Sequence, residues 1–170
     1  NIRYNGGYHM RYDVLRQFVS RGARAPARLN TYVAFDAERA AEDPEFSRKA
    51  HGYQQAARQF GWKVVTRQVR RFSDSTGNTV TRTGSRVDLA VDALTQGRQL
   101  DEVFLVSGDG DLAPLVCALQ DCGCRVEILG FDNVSRALQR QADGFHAGFL
   151  VPDLVPISYE TRNLWGEPGS

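Results

Sequence analysis

Lysine is nearly missing from this chain. Of its 21 basic residues only Lys49 and Lys63 are lysine, which leaves 21 − 2 = 19 arginines. Arginine's planar fork suits phosphate and carboxylate, although a GC-rich genome would produce the same bias. Cysteine is scarce and odd in number, with Cys117, Cys122 and Cys124 on one short segment. That argues against a disulfide framework and for a reducing, cytoplasmic compartment. No second Cys or His pair accompanies them, so zinc spacing is absent. No apolar run approaches the ~20 residues of a membrane span. Asn1-Ile2-Arg3-Tyr4 lacks the regions of a signal peptide. Excess charge of one sign is also missing: 21 basic against 20 acidic residues give +1. A polycation is excluded, but a local basic face is not. Neither an internal repeat nor a low-complexity stretch is visible.

What is present is 170 residues, 42% hydrophobic and 24% charged, enough for one globular domain with its own core. Helix and strand patterns alternate. Tyr8 to Ser20 reads as a helix and Arg28 to Phe35 as a strand rich in aromatic and β-branched residues. Asp43-Pro44 has the form of an N-cap followed by proline at the first helical position, opening a helix to about Phe60 that stops at Gly61. Trp62 to Phe72 reads as one strand, followed by a Ser73–Asn78 turn and a return strand at Thr79 to Arg82. Ser85 to Gln96 is a helix carrying Val87, Ala90, Val91 and Leu94 at helical spacing. Glu102 to Val106 has the short apolar pattern of a strand buried on both faces. A helix over Asp111–Asp121, a strand over Arg125–Leu129, a helix over Val134–Gln141 and a strand over Phe145–Val151 complete the series. From Pro152 the composition suggests a tail. The alternation predicts a largely parallel α/β sandwich, in which ligands bind outside the carboxyl ends of the strands.

That location falls on Ser107-Gly108-Asp109-Gly110-Asp111. A buried strand runs into a turn carrying a hydroxyl and two carboxylates, with glycines that can take positive φ. Aspartates on alternate residues can share a hard divalent cation such as Mg²⁺ or Mn²⁺. They can equally serve as a turn residue and a helix cap. A second acidic pair, Asp88 and Asp92, lies four residues apart on one helical face, beside Val87, Val91 and Leu94. It can join the first pair or remain a solvated helix rim. A calcium loop would need a D-x-[DN]-x-[DN]-G pattern, which is absent. Ser107 is in no Gly-x-Ser-x-Gly elbow. His9, His51 and His146 show neither metal nor triad spacing.

The segments Gly84…Val87…Leu89-Ala90-Val91-Asp92-Ala93-Leu94, Phe104 to Leu112, and Gly123-Cys124-Arg125-Val126-Glu127 resemble the NYN domain. This LabA-like group belongs to the PIN-like nucleases. The resemblance covers about Asn1 to Val151, leaving 152–170 as a tail. It implies a three-layer α/β/α sandwich with a mostly parallel central sheet. It also implies a metal-dependent ribonuclease in which clustered aspartates hold Mg²⁺ or Mn²⁺. Asp109 and Asp111 match the family's Ser-Gly-Asp-x-Asp-Phe motif, with Leu112 in place of Phe. Asp92 matches the aspartate ending the Ala-Val-Asp segment. Where the family has a Lys-Gly-x-Asp metal ligand, this chain has Thr83 and Arg86; Asp88, two residues on, is the nearest substitute. Asn1-Ile2 resembles the end of the family's opening Asp-x-x-Asn motif, which places the leading aspartate and a strand upstream.

The expected metal ligands are therefore Asp109, Asp111 and Asp88, and the expected catalytic set adds Asp92. Asn1, Ser107 and the basic patch of Arg67, Arg70, Arg71 and Arg82 are expected to meet substrate, with Phe72 and Trp62 nearby to stack a base of single-stranded RNA. The same patch can be read as a charged edge strand. Asp36 either faces the site or caps a turn. Arg86, a cation among carboxylates, raises the alternative of a degenerate module that binds RNA or a protein partner without cleaving. No membrane contact is expected, and a homodimer is possible.

Overall fold

The computed structural model describes residues 10–21, 26, 28–73, 78–131 and 134–155. Asn1, Arg3, Tyr4, Tyr8 and His9 lie outside them, as do 156–170. The first helix, α1 (Tyr12–Val19), buries Tyr12 and Leu15. The next elements are β1 (Asn30–Phe35), α2 (Ala37–Glu42), α3 (Pro44–Gln59) and β2 (Lys63–Gln68). β1 and β2 pair in parallel, Asn30 opposite Lys63 through Phe35 opposite Gln68. Helix α3 starts as its sequence dictates: Asp43 accepts a hydrogen bond from the Phe46 amide, 2.9 Å away, and Pro44 fills the first turn. It ends before Gly61, whose φ is +83°. Helix α2 is absent from the sequence expectation. Its six residues, Ala-Glu-Arg-Ala-Ala-Glu, are strong helix formers, and Asp36 caps them through the Arg39 amide at 3.1 Å.

The run from Trp62 to Phe72 is not one strand. Val69 donates its amide to Phe35 at 2.9 Å as the last link to β1. The chain then leaves the parallel pair and forms β3 (Arg70–Ser73), which pairs antiparallel with β4 (Thr79–Arg82) as a separate ribbon. Beyond it come α4 (Ser85–Gly97), β5 (Glu102–Val106), a 3-10 turn (Gly110–Leu112), α5 (Ala113–Asp121), β6 (Arg125–Gly130), α6 (Arg136–Gln141) and β7 (Gly144–Ala147). The segment expected as a strand to Val151 instead turns into a second 3-10 turn, Gly148–Leu150. β5, β6 and β7 form a parallel sheet in that order. Among the described residues the parallel strands thus fall into two sheets rather than one.

Side-chain alternation along β5 and β6 builds two cores. Leu105, Val126 and Ile128 face one way, against Leu115, Val116 and Leu119 of α5 and Leu138 of α6. Phe104, Val106 and Leu129 face the other way, into a cluster with Tyr12, Leu15, Ala57 and Trp62. Helices therefore cover both faces, which is the layered α/β arrangement the alternation predicts. Leu154 and Val155 are buried in the second cluster, and the Arg11 amide donates to the Leu154 carbonyl at 2.9 Å. The packed region thus runs past Val151.

Helix α4 turns an unexpected face inward. Leu89, Ala90 and Ala93 pack on the first core, whereas Val87 and Val91 remain 67% and 57% exposed. The cause is close packing: Gly97, at the buried end of α4, has Leu119 so near that an added Cβ would stand 2.4 Å from its Cδ2. Small residues let α4 approach α5 where valines would hold it away. Replacing Gly97 with valine should lower stability by about 1–3 kcal/mol, read as a lower urea midpoint. An unchanged midpoint would mean Leu119 has room to move.

Candidate functional site

Helix α4 runs back along the parallel pair. Asp88, in its first turn, meets Arg67 near the end of β2, and Asp92, one turn on, meets Tyr32 of β1 and Lys63 at the start of β2. The amino end of α4 therefore stands at the carboxyl ends of the strands, beside the turn that follows β5. That turn is tied down on both sides. The Ser107 amide donates to the Leu129 carbonyl at 3.1 Å, and the Ser135 amide donates to Gly108 at 3.0 Å. The Ser107 hydroxyl accepts from the Asp109 amide at 3.2 Å, so it serves the turn. Asp109 Oδ1 accepts from the Asp111 amide at 3.1 Å and caps the 3-10 turn. Gly108 and Gly110 do not use positive φ; among described residues only Gly61 and Gly123 are glycines that do. Gly110 is needed for space, since a Cβ there would sit 2.7 Å from Ser135 Oγ.

Asp109 and Asp111 converge on one cation, and that cation is Arg86. Its Nε lies 2.6 Å from Asp109 Oδ2 and its Nη1 2.8 Å from Asp111 Oδ2. The structure does not bring Asp88 and Asp92 to this pair. Asp88 is held bidentate by Arg67, with Nη2 donating to Oδ1 at 2.6 Å and Nε to Oδ2. The Arg67 hydrogen bonds hold the Asp88 carboxyl below its usual range. Asp92 Oδ2 accepts from the Tyr32 hydroxyl at 2.9 Å and lies 3.7 Å from Lys63 Nζ. Burial, together with that acceptor, pushes the Tyr32 phenol up. Helical spacing put Asp88 and Asp92 on one face correctly, but that face turns toward β1 and β2.

The basic patch is also divided. Arg71 pairs with both Asp36 and Glu38, and Arg67 with Asp88, so two of the four arginines are neutralised. Asp36 is held low by the Arg39 amide first and Arg71 second. Arg70 and Arg82 are directly opposite each other on the exposed ribbon. Like charges in that position repel, which favours an anion between or beside them. Phe72 is exposed, but Trp62 is only 9% exposed and donates its Nε1–H to the Tyr12 carbonyl at 3.3 Å. It is a core residue and offers no face to a base. Sequence reasoning missed Phe149, which is exposed after β7 with its ring edge-on to Phe131 at 5.1 Å. It stands at the carboxyl end of the sheet, as the aspartates do, within the Phe145–Val151 run that the sequence reads as strand.

Among the described residues no three His, Cys, Asp or Glu side chains gather as a metal cluster. Two convergent carboxylates remain a hard oxygen donor set. They suit Mg²⁺ or Mn²⁺, which is commonly held by one or two carboxylates together with waters and substrate phosphates. The donor chemistry fits such an ion at the position where Arg86 now supplies the positive charge. No helix among the described residues is long and apolar enough to cross a membrane.

Parallel strands flanked by helices are the architecture of PIN-like nucleases. The chain belongs to the NYN domain family of that group, matched over residues 1–153. NYN domains are generally nucleic-acid-binding, and PIN-like nucleases usually use divalent metals. The fold is similar to the crystal structure of VPA0982, a protein of unknown function from Vibrio parahaemolyticus, with a TM-score of 0.69 and 23% identity over 91% of this chain and 87% of that one. No curated protein matches the chain.

Proposed function

We propose that this NYN-family chain is a metal-dependent ribonuclease acting on single-stranded RNA in a cytoplasmic setting. One observation carries the reading: Asp109 and Asp111 converge within 2.6 and 2.8 Å of a single guanidinium, so the pair is shaped around one cation position. Asp109 and Asp111 would hold Mg²⁺ or Mn²⁺ there. Such an ion supplies charge stabilisation to the scissile phosphate. The chain's own residues do the rest. The Ser107 hydroxyl holds the Asp109 backbone amide, the Asp111 amide holds the Asp109 carboxylate, and Arg70 and Arg82 bind the RNA backbone. Cleavage of a labelled single-stranded RNA that requires Mn²⁺ and is lost on chelation tests it.

Arg86 favours a second reading, an NYN module that binds RNA or a protein partner without cleaving, because its guanidinium already neutralises part of the pair. Salt-sensitive RNA binding with no cleavage at any Mn²⁺ concentration would select it. Under either reading, replacing both Arg70 and Arg82 with alanine should flatten the salt dependence of RNA binding. Each lost contact removes about 0.7 from the log–log slope for single strands. Arg71→Ala should change it less, since Asp36 and Glu38 already balance that charge. An unaltered slope in the double variant would make the ribbon a solubilised edge only.

A further inference from the structure

Among the described residues, Arg86 is the cation that occupies both carboxylates of the proposed metal pair. It stands in the first turn of α4, 63% exposed, and bridges Asp109 and Asp111. Exposed ion pairs are weakly held. A divalent cation competes with Arg86 for the two carboxylates. A phosphate competes with the carboxylates for Arg86, whose fork fits phosphate bidentately. The two ligands therefore take opposite halves of one contact, and whichever binds first breaks it for the other. Arg67 and Arg71 cannot play this part, because their carboxylate partners are Asp88 on α4 and Asp36 and Glu38 at the start of α2, not the aspartates of the β5 turn.

We propose that Arg86 receives the RNA phosphate, and that its transfer from Asp109 and Asp111 to that phosphate couples RNA binding to cation binding at this site. This rests on the reading that RNA and a divalent cation meet there. Without RNA the carboxylates are occupied by their own arginine and take the ion weakly. With RNA the guanidinium moves to the phosphate and leaves both carboxylates open. Linkage requires the effect to be mutual: the ion must raise RNA affinity by the same factor that RNA raises ion affinity.

Isothermal titration of the full chain with MnCl₂, with and without a 2′-O-methyl single-stranded oligonucleotide, measures that factor. Wild type should bind Mn²⁺ about fivefold or more tightly when the oligonucleotide is present. Arg86→Ala should bind Mn²⁺ more tightly than wild type without oligonucleotide and bind the oligonucleotide more weakly. Its coupling factor should fall well below that of wild type. Arg86→Lys, which keeps the charge but loses the fork, should lie between them. Equal Mn²⁺ affinity of wild type and Arg86→Ala without oligonucleotide, an undiminished coupling factor in Arg86→Ala, or no Mn²⁺ binding by either protein would each overturn the proposal. Coupling without RNA cleavage would retire the ribonuclease reading and keep the role of Arg86. Cleavage with coupling unchanged in Arg86→Ala would do the reverse.

Discussion

Replacing Asp109 with asparagine is expected to cut RNA cleavage by at least about 100-fold while the fold stays intact. Outer-shell partners of metal ligands typically cost ~10–100-fold when removed, and a direct ligand should cost no less. Asparagine preserves what Asp109 does for the backbone. Its side-chain oxygen can still accept the Asp111 amide bond, now 3.1 Å long, so the 3-10 turn keeps its cap. What is lost is the charge facing Arg86 at 2.6 Å, which is the charge a divalent ion needs. Asp88→Asn is the matching control. Its carboxylate is held bidentate by Arg67, so turnover should stay near the wild-type value. Single-turnover cleavage with Mn²⁺, alongside circular dichroism, checks both. Wild-type turnover in Asp109→Asn would remove Asp109 from the metal site. Loss of turnover in Asp88→Asn would mean that Arg67 releases Asp88 and the carboxylates assemble into the larger cluster.

The position of Asp109 and Asp111 was legible in the sequence, and so was Arg86 as a cation among carboxylates, but the partners of Asp88 and Asp92 were not. A buried apolar strand followed by alternating Asp and Gly fixes where Asp109 and Asp111 stand, because a parallel strand must deliver its next residues to the carboxyl rim. The pairing of Arg67 with Asp88 spans 21 positions and depends on which face of α4 turns to β2. That face could not be read from periodicity. Helix α4 carries two apolar stripes, Val87-Val91-Leu94 and Leu89-Ala90-Ala93, and hydrophobicity alone favours the bulkier one. Packing chose the smaller residues, because Gly97 and the alanines permit close approach to α5. The break between β2 and β3 was hidden for a related reason. Val69 continues the β-branched pattern, yet its amide makes the last bond to Phe35 and the chain then departs. The Asp43-Pro44 cap needed no tertiary context and was found where the sequence places it.

Acid should weaken this protein through Glu127, the charged residue set deepest in the sheet that carries the site. Glu127 is only 7% exposed on β6. Its Oε1 accepts from Arg125 Nε at 2.7 Å, and its Oε2 lies 2.8 Å from His146 Nε2. An ionised carboxylate only accepts, so that nitrogen carries the proton. Gly144 beside it supplies the room, since an added Cβ would fall 2.1 Å from Oε2. Burial alone would push the Glu127 carboxyl up, but the hydrogen bonds from Arg125 and His146 outweigh it and hold the group below its ordinary 4.5. A carboxyl with a lowered folded value stabilises the native state above its unfolded value, and that contribution disappears as pH falls through the folded one. Wild type should therefore keep this contribution above about pH 4.5 and lose it progressively in more acid solution. Glu127→Gln has no charge to protonate. It should be less stable at pH 7 by about 1–3 kcal/mol, the worth of hydrogen bonds to a charged group, and its stability should depend less on pH below 4.5. Urea unfolding of both proteins across that range measures the difference. Parallel curves for wild type and variant would show that Arg125 and His146 are screened by solvent and that Glu127 contributes nothing to acid sensitivity.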